Sequence, residues 1–457
     1  MQIDPSNKYH LVGICGDGMS ALALVLLQNG CQVVGSDIQE SDRARQLRDA
    51  GAEVYIGHNR SNLSRDTDSV IISSAISDEN VEVQEAERLA IPVHKRLTAL
   101  ADLMDQKRAI GIAGTHGKST TTTMAASLLE FGGYDPTYMI GADCEKLGGN
   151  ANVGRGDYFL AEVDESDGHF LQVHPEISVI TNVGRDHLDT YQNEEEIVQG
   201  FVQFARESSY PIISVDDEHS DRLLDSLNRA FTFGINSPAD LRAENIIQRG
   251  FNTYFDLRFK GSKVGRVELP APGYHNVSNA LAALSVGYKV GMNFQEMIGL
   301  LKEVELPQRR FQVLQNNGSV IIDDYAHLPE EIEVTLEAVK RGWDPERVVA
   351  VFQPHRFSRL KHINGQFGSS FKFADEVVVT GIYPAFESPI PGITSQLVIK
   401  SINKHNQSSV RKIDDLEEVY DFLEKNIKKG DFLVGLGAGD IWKITHKLAR
   451  SKTMAVS

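Results

Sequence analysis

The run Gly114-Thr115-His116-Gly117-Lys118-Ser119-Thr120 gathers several kinds of chemistry at one point of the chain. Glycines let backbone N–H groups turn together toward an anion. A lysine at this place reaches the β- and γ-phosphates of a nucleotide, and a serine hydroxyl ligates Mg²⁺. An apolar run, Ala109–Ala113, predicts a strand before the loop, and residues 120–131 predict a helix after it. The loop therefore opens at a helix N-terminus, where unpaired amides favour phosphate. The strict pattern needs glycine at 112, where Ile112 stands, but the shorter form keeps every part with a chemical task. ATP binding is expected.

Glu162-Val163-Asp164-Glu165-Ser166-Asp167 ends a second apolar run. Carboxylates at the C-terminal end of a strand lie where open α/β sheets bind ligands. Beside a phosphate loop they suit a hard cation. A solvated acidic turn is the plainer alternative. Thr181-Asn182-Val183-Gly184-Arg185-Asp186-His187-Leu188-Asp189 ends a third run, and its His187, flanked by acids, is a candidate second metal ligand.

Gly13-Ile14-Cys15-Gly16-Asp17-Gly18 makes another strand–glycine–helix corner, with Asp37 closing the next strand where a ribose hydroxyl is often met. A nucleotide or nucleotide-sugar is expected there. His275, Asn276 and Asn279 begin an Ala-rich helix; His275 and Asn279 could share a face that suits a purine edge, but on local evidence alone helix capping is the favoured reading of the asparagines. Arg309-Arg310-Phe311, Asp323-Asp324-Tyr325-Ala326-His327-Leu328 and Phe352-Gln353-Pro354-His355-Arg356-Phe357-Ser358-Arg359 put tyrosine, histidine and arginine at two strand ends. Guanidinium forks match carboxylate and phosphate, so an anion site is expected. Leu436-Gly437-Ala438-Gly439-Asp440-Ile441 reads as either a close-packed corner or a substrate loop.

These residues need strands to present them. Short apolar runs alternate with helical-period segments, which predicts α/β architecture with largely parallel sheets. Strands are predicted at Tyr9–Gly13, Gln32–Ser36, Val54–Ile56, Ser69–Ser73 and Pro92–His94, then Ala109–Ala113, Tyr158–Val163, Ile177–Thr181 and Ile212–Val215, then Ser319–Asp323, Arg347–Phe352, Glu376–Thr380 and Asp431–Leu436. The stretch from Phe231 to Leu269 reads as an antiparallel edge or a small subdomain. The helix after the first strand should turn Met19, Leu22, Leu26 and Leu27 inward. At 457 residues the chain suggests about three domains, with boundaries expected at 1–106, 107–306 and 307–457. The formal net charge of −17 makes nucleic acid an improbable partner. Three cysteines without a CxxC pair point to a reducing compartment. A polar N-terminus and the lack of long apolar runs predict a cytoplasmic protein without membrane contact.

Taken in order, GTHGKS, EVDESDG, DHLDTY, RRF, DDYAH, FQPHRFSR and LGAGDI resemble the Mur ligase family of peptidoglycan synthesis, from Gly13 to Asp440. Three positions vary from the pattern: Cys15, Ser119 (which keeps the hydroxyl) and Leu328. The resemblance implies a Rossmann-like first domain for UDP-N-acetylmuramate, a central P-loop-type ATPase domain, and a Rossmann-like last domain for the amino acid. It implies an ATP-dependent ligase that joins L-alanine to the lactyl carboxylate through an acyl phosphate. By motif match, Gly13, Gly16, Gly18, Met19, Asp37, Ser73 and Ser74 would hold the UDP-sugar. Residues 114–120 with His275, Asn276, Asn279, Arg310 and Asp324 would hold ATP. Ser119, Glu162 and His187 would ligate two Mg²⁺ ions. Tyr325, His327, Arg356 and Arg359 would shape the amino-acid site, and Lys118, His187, His327, Arg356 and Arg359 would serve catalysis, with His187 or His327 taking the amine proton. A monomer or homodimer is compatible. Two alternatives are a sister ligase that attaches the L-Ala-γ-D-Glu-diaminopimelate tripeptide to the same UDP-sugar in wall recycling, and a non-catalytic nucleotide-sugar-binding regulator.

Overall fold

The computed structural model describes residues 1, 3–165, 168–184, 193–363, 366–385, 387–405 and 408–454. Three sheets follow one another along the chain. The first holds β1 (Lys8–Val12), β2 (Gln32–Asp37), β3 (Glu53–Ile56), β4 (Ser69–Ile72) and β5 (Val93–Lys95), in the order β3-β2-β1-β4-β5. Every pairing in it is parallel. Tyr9, His10, Leu11 and Val12 on the central strand are fully buried, as a parallel strand covered on both faces requires. The order reverses beside β1, and open α/β sheets bind ligands at such a switch. The helix Asp17–Gln28 buries Met19, Leu22 and Leu26 as its periodicity predicts, with Leu27 partly buried.

The second sheet has ten strands: β6 (Arg108–Ala113), β7 (Thr137–Cys144), β8 (Gly149–Asn152), β9 (Tyr158–Glu162), β10 (Ile177–Ile180), β11 (Tyr210–Ser214), β12 (Phe231–Gly234), β13 (Leu241–Arg249), β14 (Asn252–Phe259) and β15 (Ser262–Leu269). Their order is β15-β14-β13-β12-β11-β10-β6-β9-β7-β8. β6 is central, parallel to β10 on one side and β9 on the other. The Phe231–Leu269 stretch forms one edge of this sheet: β12 pairs parallel with β11 and β13 parallel with β12, and β14 and β15 follow outward.

The third sheet holds β16 (Gln312–Asn317), β17 (Ser319–Asp324), β18 (Arg347–Phe352), β19 (Glu376–Val379), β20 (Ser409–Lys412) and β21 (Asp431–Leu436), in the order β16-β17-β21-β18-β19-β20. The last strand lies at its centre, parallel to β17 and β18. Among the described residues, the β16–β17 pairing is antiparallel and the other pairings of this sheet are parallel. β7, β8, β16 and β20 were not expected from the sequence. β8 (GNAN) and β20 (SVRK) are edge strands with little apolar content, so local propensity says nothing for them. By contact density the chain forms two compact units. One is Met1–Glu244, Asp256–Val267 and Ser278–Glu305; the other is Asn245–Phe255, Glu268–Val277 and Leu306–Ser457. Among the described residues no helix is long and apolar enough to cross a membrane.

Candidate active site

In the first unit, β6 runs into the phosphate loop, and the helix Lys118–Phe131 starts two residues earlier than predicted. Gly117 takes φ +80°, a left-handed conformation that glycine adopts without strain. Any Cβ there would strike the Asn279 side-chain oxygen. Asn279 also accepts from Thr121 Oγ1 at 3.3 Å, so it is fastened beside the loop. The loop is pinned from β10 as well. Asn182 Oδ1 accepts the His116 N–H at 2.8 Å, and its Nδ2 donates to the His116 carbonyl at 2.9 Å. Thr181 Oγ1 donates to that carbonyl at 2.7 Å. Held this way, the amides opening the helix stay unpaired within it and are available to an anion.

Lys118 Nζ lies 2.9 Å from the nearer Glu165 oxygen, 3.8 Å from Asp164, and donates to the Gly114 carbonyl at 2.6 Å. Burial alone would lower its pKa. The Glu165, Asp164 and Glu162 carboxylates outweigh burial and hold the ammonium above its usual range, so it stays charged at neutral pH. Ser119 Oγ donates to Glu162 Oε2 at 2.8 Å, and the same oxygen accepts the Gly141 N–H at 3.0 Å. A hydroxyl and a carboxylate in contact, with two more carboxylates around the lysine, form a hard-oxygen donor set. That set fits Mg²⁺, which takes few protein oxygens and keeps its waters. Ser166, Asp167, Asp186, His187 and Asp189 lie outside the described residues.

The first loop of the same unit is built otherwise. The Gly13 and Ile14 amides donate to the Ser36 carbonyl at 2.8 and 3.0 Å. The Cys15 amide donates to Asp37 Oδ2 at 2.9 Å, and Asp37 Oδ1 accepts the Ile38 amide at 2.8 Å. Each Asp37 oxygen keeps a lone pair for a hydroxyl. Burial, then the Asp37 charge, pushes the Cys15 thiol up to about 11, so no thiolate opposes an anion here. Gly16 precedes the helix and Gly18 lies in its first turn. Met19 is buried in the core, so its backbone amide is what it offers a ligand. Ser73 lies against Gly13, whereas Ser74 is exposed.

The second unit carries its own polar cluster. Arg309 donates to Asp323 at 3.2 Å and to the Gly437 carbonyl at 2.6 Å. The Arg309 and Arg310 guanidiniums each lie 5.0 Å from the Tyr325 ring centre. Asp324 accepts the Phe311 and Ala326 amides, both at 2.8 Å, which fixes the step from β17 into Tyr325. Burial pushes Asp323 up to about 6 against the pull of Arg309. His327 Nδ1 faces the Tyr325 carbonyl at 3.0 Å. A carbonyl only accepts, so Nδ1 carries the proton and Nε2 is the basic nitrogen of the neutral ring. Glu331 accepts the His327 and Leu328 amides at 3.0 and 3.2 Å, capping the helix Pro329–Trp343, while the Leu328 side chain is buried.

His355 stacks on Tyr383 and accepts from Arg359 at 2.9 Å. Burial, with His327 and the neighbouring arginines, drives its pKa down to about 2, so it is a neutral acceptor. Arg356 stands at φ +64°, its amide donating to the Tyr383 carbonyl at 2.9 Å. Its Nε is buried with no hydrogen-bond partner among the described residues, which points to a ligand oxygen. Leu436–Ile441 is a close-packed corner: Gln353 ties Asp440 at 2.8 Å and the Ile441 amide at 3.1 Å. His275 and Asn276 fall in this unit and Asn279 in the other. Asn276, inside the helix Tyr274–Val290, donates to the Pro272 carbonyl at 2.7 Å, so it does not act as the N-cap acceptor that the capping alternative requires. Burial pulls His275 down to about 4, leaving a neutral ring.

Sequence reasoning gave no role to Thr181, Asn182, Gly141, Glu331 or Tyr383. Thr181 and Asn182 were visible as a polar pair closing a strand beside a phosphate loop. Gly141 and Tyr383 left no local signal.

A strand-borne phosphate loop backed by carboxylates, in the second of three α/β sheets along the chain, is the plan of an ATP-dependent ligase. The Mur ligase middle-domain family model matches residues 112–287, the Mur ligase catalytic-domain model residues 8–108, and the Mur ligase glutamate-ligase-domain model residues 309–439. The chain belongs to the Mur ligase family. It is 43% identical to the UDP-N-acetylmuramate–L-alanine ligase of Geotalea daltonii over 97% of each chain. It is 42% identical to the enzyme of that name from Geobacter sulfurreducens over 96% of each. The crystal structure of the UDP-N-acetylmuramate–alanine ligase of Thermotoga maritima is similar at a TM-score of 0.86 and 29% identity, covering 98% of this chain and all of that one. A murein peptide ligase of Psychrobacter arcticus shares the fold at 0.72 and 22%.

Proposed function

We propose that the protein joins L-alanine to the lactyl carboxylate of UDP-N-acetylmuramate at the expense of ATP, in cytoplasmic peptidoglycan precursor synthesis. The observation that carries this reading is the 43% identity along 97% of both chains to a ligase of that name. We keep the three-domain division at residues 1–106, 107–306 and 307–457, which parallels the three family matches.

A carboxylate is a poor electrophile, and phosphorylation by ATP gives it a good leaving group. That step needs alignment and charge neutralisation more than covalent help from the protein. Lys118 neutralises charge on the phosphates, and the loop amides hold them in place. Mg²⁺, held by Ser119 and Glu162, would add Lewis-acid neutralisation of the same oxygens. His187 is proposed for a second ion. Nucleotide contacts for His275, Asn276, Asn279, Arg310 and Asp324 rest on motif match. Arg356 and Arg359 are proposed to take the carboxylate of L-alanine, with Tyr325 beside them. The amine that attacks the acyl phosphate loses a proton, and the Nε2 of His327 is a fitting acceptor.

Phosphate release from ATP, with UDP-N-acetylmuramate and Mg²⁺, tests the reading against L-alanine, glycine, L-serine and the L-Ala-γ-D-Glu-diaminopimelate tripeptide. Release dependent on L-alanine is expected. Release with the tripeptide alone would move the protein to the recycling reaction. No release with any acceptor, while the UDP-sugar still binds, would leave a binding protein.

A further inference from the structure

A cavity of about 180 Å³ in the first unit is lined by Asp17 and Gly18 of the first loop, by Gly141, by Glu162 and Asp164, and by Arg96. Arg96 opens the helix Arg96–Met104, directly after β5. Its side chain is partly exposed, and among the described residues no hydrogen bond or ion pair to its guanidinium is recorded. Arg43 bridges Asp143 at 2.8 Å and Asp17 at 3.2 Å, and Lys118 is paired with Glu165. The Arg96 guanidinium lies across Gly18, where a Cβ would come within 3.0 Å of it. A larger residue at 18 would push the arginine out of the cavity.

We propose that Arg96 binds an oxyanion of the acceptor substrate and holds it between the first glycine loop and the Ser119–Glu162 pair. This rests on the ligase reading above. One end of the cavity is the loop expected to hold the diphosphate. The other end holds Glu162, beside which the acceptor carboxylate must meet the γ-phosphate. The first loop carries no lysine or arginine of its own, and a planar fork of five N–H donors supplies the missing charge. The occupant is either the diphosphate or the lactyl carboxylate. Both are oxyanions that a guanidinium pairs with in the same way.

Calorimetric titration of wild type, Arg96→Ala and Arg96→Lys with UDP, UDP-N-acetylglucosamine and UDP-N-acetylmuramate tests this. Arg96→Ala should weaken UDP-N-acetylmuramate about 10- to 100-fold, as loss of a charge-assisted hydrogen bond implies. Arg96→Lys should recover part of the loss, and the KM for ATP and the melting temperature should stay as in wild type. Equal weakening of all three ligands places Arg96 on the diphosphate. Weakening of UDP-N-acetylmuramate alone places it on the carboxylate, which the other two lack. Unchanged binding in both variants overturns the inference and leaves the ligase reading intact. A wild type that does not bind UDP-N-acetylmuramate would sink that reading and the inference with it. Should Arg96→Ala melt early, Arg96→Lys, which keeps the stem and the charge, decides: unchanged affinity for all three ligands in it, with loss in Arg96→Ala no greater than its loss of ATP affinity, also overturns the inference.

Discussion

Two loops of the first unit share a local plan and differ in how they handle charge. Gly13–Gly18 and Gly114–Lys118 each follow the central part of a parallel sheet and open a helix. In the first, the amides of Gly13, Ile14 and Cys15 donate to the Ser36 carbonyl and the Asp37 carboxylate. The loop is closed by an acid and contains no cation. In the second, Lys118 belongs to the loop, and Glu165, Asp164 and Glu162 surround it. Backbone geometry makes both corners suitable for an anion, and side chains decide how much charge each tolerates. A triphosphate needs a fixed cation and a metal set. A diphosphate can rest on helix amides with one arginine brought from elsewhere.

The strongest way to break this comparison is to remove the cation of the second loop. Lys118→Ala should lower kcat for L-alanine-dependent phosphate release roughly 10³-fold, in the range seen when a fixed transition-state charge partner is deleted. Affinity for UDP-N-acetylmuramate, measured by titration, should stay within twofold. An equal loss there would mean that the loops do not act separately. Next in size is Glu165→Gln, which takes a buried counter-ion from Lys118. Loss of one partner of a buried pair costs a few kcal/mol, and Asp164 and Glu162 soften it here, so about 2 kcal/mol of stability should go. ATP should then raise the melting temperature of the variant more than that of wild type, because its phosphates replace the missing anion. Equal shifts would show that Lys118 does not need Glu165. The smallest effect is expected for Asp37→Ala, which strips two amides of an acceptor. At about 1 kcal/mol per hydrogen bond, the KM for UDP-N-acetylmuramate should rise three- to tenfold with the KM for ATP unchanged. A matching rise in both would erase the distinction between the loops.

Much of this was legible from residue types and spacing. GTHGKS after an apolar run announced a phosphate loop, and the alternation of elements announced parallel sheets. Four strands escaped. β8 and β20 are short edges of polar or small residues, and what makes them strands is a neighbour to pair with. The threonine run 120–123 is a poor helix former, since branched side chains lose freedom against the preceding turn. It is helical because all four side chains are buried, Thr121 against Asn279 of a neighbouring helix, and Thr122 and Thr123 bond back to the Lys118 and Ser119 carbonyls at 2.8 Å. The same limit applied to the site. Asn182 and Thr181 stood in a quoted motif, but their grip on His116 joins two strand ends some 66 residues apart.

By itself the sequence determined the class of chemistry: an ATP-phosphate loop, carboxylates for a hard cation, and basic residues for an anion in an otherwise acidic chain. Residue type and short spacing carry that information, because loop conformation and strand ends are local. Only the tertiary structure decided which carboxylate pairs with Lys118, which histidine nitrogen is basic at 327, and that Arg96 lies against Gly18. Those facts depend on sheet order, since β1 and β5 meet only through β4, and β6 and β10 only by pairing across the fold. Burial then sets the charges, holding His275 and His355 neutral and Lys118 an ammonium, and no count of residues along the chain measures burial.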